Sequence, residues 1–246
     1  MTVPYRCVAM GDSITEGVGD PDGDGLRGWA DRLAGRLAPA LPDLRYENIA
    51  VRGKLTGQVR AEQLEVARSL HPDLVAVTFG MNDLIRGRVD LVRYRADAEA
   101  ILGGFPNATV VTSTLPDMSR VLPWAGALRR KVAAMNVITR DVAGACGTVL
   151  LDAEADEATT DAALWSPDRL HLNAHGHQLF ADRVAALLGW PEPEGAAALA
   201  HRPVAQGRLG EELTWAGQLA PWLWRRLRRR GLRGLRAARR SISQCT

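Results

Sequence analysis

Short apolar runs alternate along the first 188 residues with longer stretches in which apolar side chains return every three or four positions. The runs Tyr5–Met10, Arg45–Val51, Leu74–Phe79, Thr109–Ser113 and Thr148–Leu151 are short and rich in Val, and they predict strands. Three of the five are continuously apolar, as expected of strands covered on both faces. Helical spacing predicts helices near Gly28–Leu37, Gln58–Ser69, Leu91–Leu102, Trp124–Val142 and Ala174–Leu188. In the second of these, Val59, Leu64, Val66, Ala67 and Leu70 mark the apolar stripe. Strand and helix in alternation predict an α/β domain with a parallel five-stranded sheet between two helical layers.

In an open sheet of this kind a ligand crevice lies at the carboxyl ends of the strands. The segments Gly11–Gly17, Arg52–Gly57, Gly80–Asp83 and Thr114–Trp124 each follow a strand and therefore share that rim. The domain is expected to span residues 1–189. Residues 190–202, opening on Trp-Pro-Glu-Pro-Glu-Gly, read as a linker, and residues 203–246 as a basic, helical extension.

Charge sharpens that division. The last 44 residues carry ten Arg against two Glu, a net +8, whereas the preceding 202 carry a net −5. Only Lys54 and Lys131 are lysines, so the Arg excess reflects coding bias more than nucleic-acid chemistry. In the tail Leu223, Leu227, Gly231, Leu235, Ala238 and Ile242 recur at helical spacing behind Trp222 and Trp224, the pattern of a helix that binds an anionic membrane surface. A helix packed on the body and a disordered tail are the plainer alternatives, and sparse aromatics argue against a nucleic-acid partner. The three cysteines, Cys7, Cys146 and Cys245, are odd in number and far apart; Cys7 and Cys146 read as buried thiols in a reducing compartment. With no secretory pattern at the start and no apolar run long enough to span a bilayer, a cytoplasmic location, peripheral to the membrane if the tail binds there, is expected.

Three segments carry candidate chemistry. Gly11-Asp12-Ser13-Ile14-Thr15-Glu16-Gly17 follows the first strand, so Ser13 can present its hydroxyl to the crevice; a helix cap is the alternative. Asp168-Arg169-Leu170-His171 places an acid three residues before a histidine, close enough to orient the ring; a surface Asp with a capping His is the alternative. Gly80-Met81-Asn82-Asp83 puts a carboxamide at a strand end, where it can meet an oxyanion or merely form a turn. Trp124 and Trp165 are candidate walls of an acyl pocket, with packing under a long loop as the alternative, and Arg86 and Arg88 are candidate contacts for an anionic substrate or simply solvated. Asp20-Pro21-Asp22-Gly23-Asp24-Gly25, with Asp31 in twelfth position, imitates a calcium loop, but no helix precedes it and a solvated loop is favoured. His171, His175 and His177 beside Asp168 lack a further ligand for a metal site, so none is expected; His175 and His177 read as solvated or as supporting the site.

Taken together, these blocks resemble those of the SGNH (GDSL-type) hydrolases, over about residues 5–188. Gly11-Asp12-Ser13 resembles the nucleophile block, Gly53 stands at the block-two glycine, Gly80-Met81-Asn82-Asp83 matches G-x-N-D, and Asp168-Arg169-Leu170-His171 matches D-x-x-H. The resemblance implies a flavodoxin-like α/β/α fold and a carboxylic ester hydrolase that needs no cofactor. It implies Ser13 as nucleophile, His171 as base, Asp168 as its orienting acid, and an oxyanion hole from the Ser13 and Gly53 N–H groups and the Asn82 side chain. Asp12 and Asp83 are then further candidates for substrate contact, and a small acyl ester is the expected partner. An acyltransferase or carbohydrate deacetylase with the same triad, and a non-catalytic module docked by its basic tail, are the competing functions.

Overall fold

A computed structural model describes residues 4–86, 89–117, 119 and 125–190. Trp124, Arg88, Cys245, the linker beyond Trp190 and the basic segment 203–246 lie outside the described residues. Five parallel strands form the sheet: β1 (Arg6–Gly11), β4 (Arg45–Asn48), β5 (Leu74–Thr78), β6 (Thr109–Ser113) and β7 (Val149–Leu151), in the order β4-β1-β5-β6-β7. The register pairs Cys7 with both Tyr46 and Leu74, and Val75 with Val110. Two very short strands, β2 (Pro21–Asp22) and β3 (Gly25–Leu26), make a separate hairpin. It occupies the stretch that imitates a calcium loop: Asp20 pairs with Arg32 at 2.6 Å, and Asp31 accepts from the Gly28 N–H at 2.9 Å.

Successive side chains of a strand face opposite ways, so β1 serves two cores. Val8 and Met10 pack with Val59, Leu64 and Ala67 of α3 (Thr56–Ser69), with α5 (Leu91–Leu102) and with α6 (Arg129–Cys146). Cys7 and Ala9 face Trp29 and Leu33 of α2 (Trp29–Leu37) and Val184 and Ala185 of α7 (Ala174–Leu187). β1 and β5 are buried almost throughout, which is why Cys7–Met10 and Leu74–Val77 read as unbroken apolar runs.

The observed strands and long helices follow the sequence reading within a few residues, with these differences. The helix expected from Trp124 begins as α6 at Arg129, after a 3₁₀ turn over Ala125–Leu128. Asn82-Asp83 lies not in a loop but in a short helix, α4 (Met81–Arg86). Val66 is half exposed, outside the stripe it was assigned to. Cys7 is buried, and burial, with Asp31 nearby, pushes its thiol up to about 12; Cys146 is exposed at the end of α6. No helix among the described residues is long and apolar enough to cross a membrane.

Candidate active site

The site is built at the carboxyl end of β1. Gly11 turns there with φ +128°, and a β-carbon on it would stand 2.2 Å from the Thr78 carbonyl oxygen, so only glycine permits the close approach of β1 to β5. Gln63 of α3 clamps this turn: its side-chain oxygen accepts from the Gly11 N–H at 2.6 Å, and its amide donates to the Gly11 carbonyl at 3.0 Å. Asp12 then caps the one-turn helix α1 (Ser13–Glu16) by accepting from the Ile14 N–H at 3.1 Å. The chain leaves α1 through Gly17 in the left-handed region. Ser13 thus sits at the first helical position, 8% exposed. The capping role belongs to Asp12, which frees the Ser13 hydroxyl.

The second half of the site hangs on the entry to α7. Asn173 caps that helix by accepting from the N–H groups of His175 and Gly176. Its amide donates to the carbonyls of Ala163 and Trp165. An antiparallel bridge joins Trp165 to Leu172, and the Ser166 N–H donates to the His171 carbonyl at 2.8 Å. These contacts close a tight loop over residues 166–171, in which Arg169 has φ +52°. Inside it, Asp168 Oδ1 accepts from the N–H groups of Leu170 and His171. Its Oδ2 lies 2.6 Å from His171 Nδ1, and His171 Nε2 lies 3.0 Å from Ser13 Oγ.

Burial alone would raise the Asp168 pKa, but the hydrogen bond and charge of His171, with the two backbone donors, outweigh it and leave the pKa below its ordinary value. An ionised Asp168 can accept a proton carried on His171 Nδ1, the arrangement in which Nε2 can accept from the Ser13 hydroxyl.

Asn82 is the second residue of α4, and its carboxamide nitrogen lies 3.5 Å from Asp12 Oδ2. Gly53 is half-buried with φ +80°, on a segment held to β1 by the Val51 N–H donating to the Gly11 carbonyl. Asp83 accepts from the Thr56 N–H and hydroxyl, both at 2.9 Å, so its carboxylate is occupied within the protein. Asp12 is likewise occupied and 1% exposed; burial raises its pKa to about 6 against the lowering effects of the Ile14 N–H, the His171 charge and Thr78.

Trp165 is 6% exposed and walls a narrow apolar cavity of about 50 Å³, with Ile14, Met81, Pro116, Leu172 and Phe180. The Trp165 indole N–H donates to the Thr159 carbonyl, which fixes the ring plane. His175 is exposed. His177, by contrast, is fully buried and not solvated: its Nδ1 accepts from the Trp29 N–H at 3.1 Å, and its Nε2 meets the Val18 carbonyl at 3.3 Å. With both ring nitrogens engaged, His177 is a clamp between α7, α2 and the loop after α1. No cluster of metal-ligating side chains forms among the described residues. Gln63 escapes sequence reading, and so does the clamp that His177 forms, because their partners, Gly11, Trp29 and Val18, lie 52, 148 and 159 residues away.

The model of the GDSL-like lipase/acylhydrolase family matches residues 9–179. The GDSL lipase Rv0518 of Mycobacterium tuberculosis is 28% identical, over 76% of this chain and 84% of its own length. Among solved structures, the α/β hydrolase LAE5 from the metagenome of Lake Arreo is 23% identical with a TM-score of 0.63, covering 77% of this chain and 97% of that one. The acetylxylan esterase Axe2 of Geobacillus stearothermophilus is 20% identical with the same TM-score, covering 78% and 98%.

Proposed function

The chain belongs to the GDSL-like lipase/acylhydrolase family and is a carboxylic ester hydrolase acting on small-molecule esters, and from that premise we propose that Ser13, His171 and Asp168 carry out the hydrolysis and that the acyl groups taken are short. The observation that carries the triad is the relay of contacts itself: 2.6 Å from Asp168 to His171 and 3.0 Å from His171 to Ser13.

In this reading Ser13 Oγ attacks the ester carbonyl as its proton passes to His171 Nε2. Asp168 stabilises the imidazolium that results. The negative charge that develops on the carbonyl oxygen is met by the N–H groups of Ser13 and Gly53 and the carboxamide of Asn82, and loss of one such donor costs about 3–4 kcal/mol of transition-state stabilisation. The C–O bond to the alcohol breaks, and His171 returns its proton to the departing oxygen. Water, deprotonated by the same imidazole, then cleaves the acyl-enzyme to the free acid and restores Ser13. No metal or cofactor takes part in this sequence. Transfer to another alcohol, including a sugar hydroxyl, would use the same acyl-enzyme and differ only in what attacks it.

The narrow cavity beside Ile14 and Met81 supports the preference for short acyl groups. A space of about 50 Å³ corresponds to about four water-sized spheres, enough for the methyl to propyl portion of an acyl chain and too small for an aromatic ring. Hydrolysis of p-nitrophenyl acetate by the intact protein and its loss in Ser13→Ala, with unchanged circular dichroism, is the expected result. Undiminished turnover in that variant refutes the mechanism.

A further inference from the structure

Arg86 is the last residue of α4, four positions after Asn82. A β-carbon built on Gly53 would stand 2.7 Å from Arg86 Nη2, so the guanidinium lies across the α-carbon of the glycine whose N–H faces the reacting carbonyl in the reading above. Arg86 is exposed and forms no salt bridge among the described residues.

The surroundings make that cation unusual. Arg86 borders an open hollow of about 580 Å³ between α3 and α5, which is also lined by Glu62, Asp83, Asp90 and Asp97. Each of these acids already has a protein partner. Glu62 pairs with Lys54, Asp83 binds Thr56, Asp90 caps α5, and Asp97 pairs with Arg60 and Arg93. Arg86 is the charged donor left over at the mouth of this hollow, beside the candidate catalytic groups. A guanidinium presents planar, paired donors suited to a carboxylate or phosphate.

Neighbouring positions on α4 also separate the two sides of the site. Met81 lines the apolar cavity, whereas Asp83 and Arg86 line the open hollow that carries the charged groups, with Asn82 between them. An ester that placed its acyl chain in the cavity and its carbonyl at Asn82 would have Arg86 within reach of its alcohol portion.

We propose that Arg86 is a specificity-determining residue that binds an anionic group, carboxylate or phosphate, on the alcohol portion of the ester. The assignment rests on the reading of Ser13, His171 and Asp168 as the reacting groups.

The test compares two acetyl esters of one alcohol framework: 4-acetoxybenzoate, which is anionic, and its neutral methyl ester. Hydrolysis of the first yields acetate and 4-hydroxybenzoate. The intact protein should favour the anion about 5- to 10-fold in kcat/KM, mostly through KM, since an interaction present in both ground and transition states changes binding more than turnover. The ratio should fall to about one in Arg86→Ala, invert in Arg86→Glu and be partly kept in Arg86→Lys. It should shrink at high salt, because exposed charges are screened.

Calorimetric titration with 4-hydroxybenzoate separates the two readings. Weaker binding to Arg86→Ala than to the intact protein, with no hydrolysis of either ester, sinks the catalytic reading and keeps the anion site. Hydrolysis with the same ratio in all four proteins overturns the assignment of Arg86. Equal binding of 4-hydroxybenzoate to the intact protein and Arg86→Ala overturns it as well.

Discussion

The carboxylate of Asp12, closed off from solvent, lies 3.5 Å from the carboxamide nitrogen of Asn82, so the residue before the candidate nucleophile holds the side chain proposed to meet the oxyanion. The arrangement has a thermodynamic signature. With a pKa near 6 in the folded chain against an ordinary 3.8, Asp12 keeps a proton on folding between those values. Its contribution to stability is therefore present at low pH and is lost as pH rises through about 6. The loss amounts to about 3 kcal/mol. Denaturant titrations at pH 4 and 7.5 should show this slope in the intact protein and its absence in Asp12→Asn. The same variant should lose esterase activity through a misplaced Asn82, and full activity would separate Asp12 from the oxyanion site.

His177 should act in the opposite direction. Burial first, offset in part by the Val18 carbonyl and the Asp20 charge, lowers its pKa to about 4. The folded state excludes a proton that the unfolded chain binds below the ordinary value of 6.5, so stability falls as pH drops from 6.5 toward 4, by about 3 kcal/mol in full. The two slopes oppose each other where their windows overlap, between about pH 4 and 6. His177→Gln should remove the acid-side loss and expose the Asp12 slope alone; an unchanged stability profile would contradict the buried neutral imidazole.

Asp168→Asn removes the acceptor that holds the Nδ1 proton of His171. A loss on the order of 10⁴-fold in kcat is expected, with little change in KM. Stopped assays with p-nitrophenyl acetate, long enough to register residual turnover, give the measurement. A loss below tenfold would show that the 2.6 Å contact is structural.

Asn82→Ala should lower kcat by about 10²- to 10³-fold with the fold intact, the effect of one missing oxyanion donor. Gly53→Ala should be harmful for a different reason. Its φ of +80° strains any other residue, although the Arg86 side chain that touches the site is free to swing away. Crystals or amide NMR shifts of the two variants distinguish a lost donor from a displaced backbone.

Met81→Ala widens the apolar cavity from one side. The intact protein should prefer two- to four-carbon acyl chains, and the variant should move the optimum toward six. A panel of p-nitrophenyl esters reads this directly, and an unshifted optimum would remove the cavity as the acyl site.

Much of this architecture was legible in the chain because burial on both faces leaves Cys7–Met10 of β1 and Leu74–Val77 of β5 without polar positions. Helices were legible through spacing, and boundaries only roughly: the stretch Ala125–Leu128 continues the pattern read for α6 but forms a 3₁₀ turn. The β2–β3 hairpin escaped because two-residue strands of Pro, Asp and Gly carry no period. Asn82-Asp83 has turn-forming side chains, yet Gly80 at φ +103° makes the turn and α4 starts after it. Asp12 and Asp83 looked like groups for a substrate, but the donors that engage them, on Ile14 and Thr56, are backbone N–H groups that a side-chain pattern does not reveal. The partners of His177 are also backbone groups, which no motif encodes.

The separation of 158 positions between Ser13 and His171 sets an order in time for the molecule. A ribosome releases the hydroxyl-bearing turn early and the imidazole near the close of the domain, so every shorter nascent chain carries an inert serine. Under the proposed mechanism, chemistry switches on only when α7 docks, and a clipped or stalled product lacking that helix should be silent toward esters even where its first strands have paired.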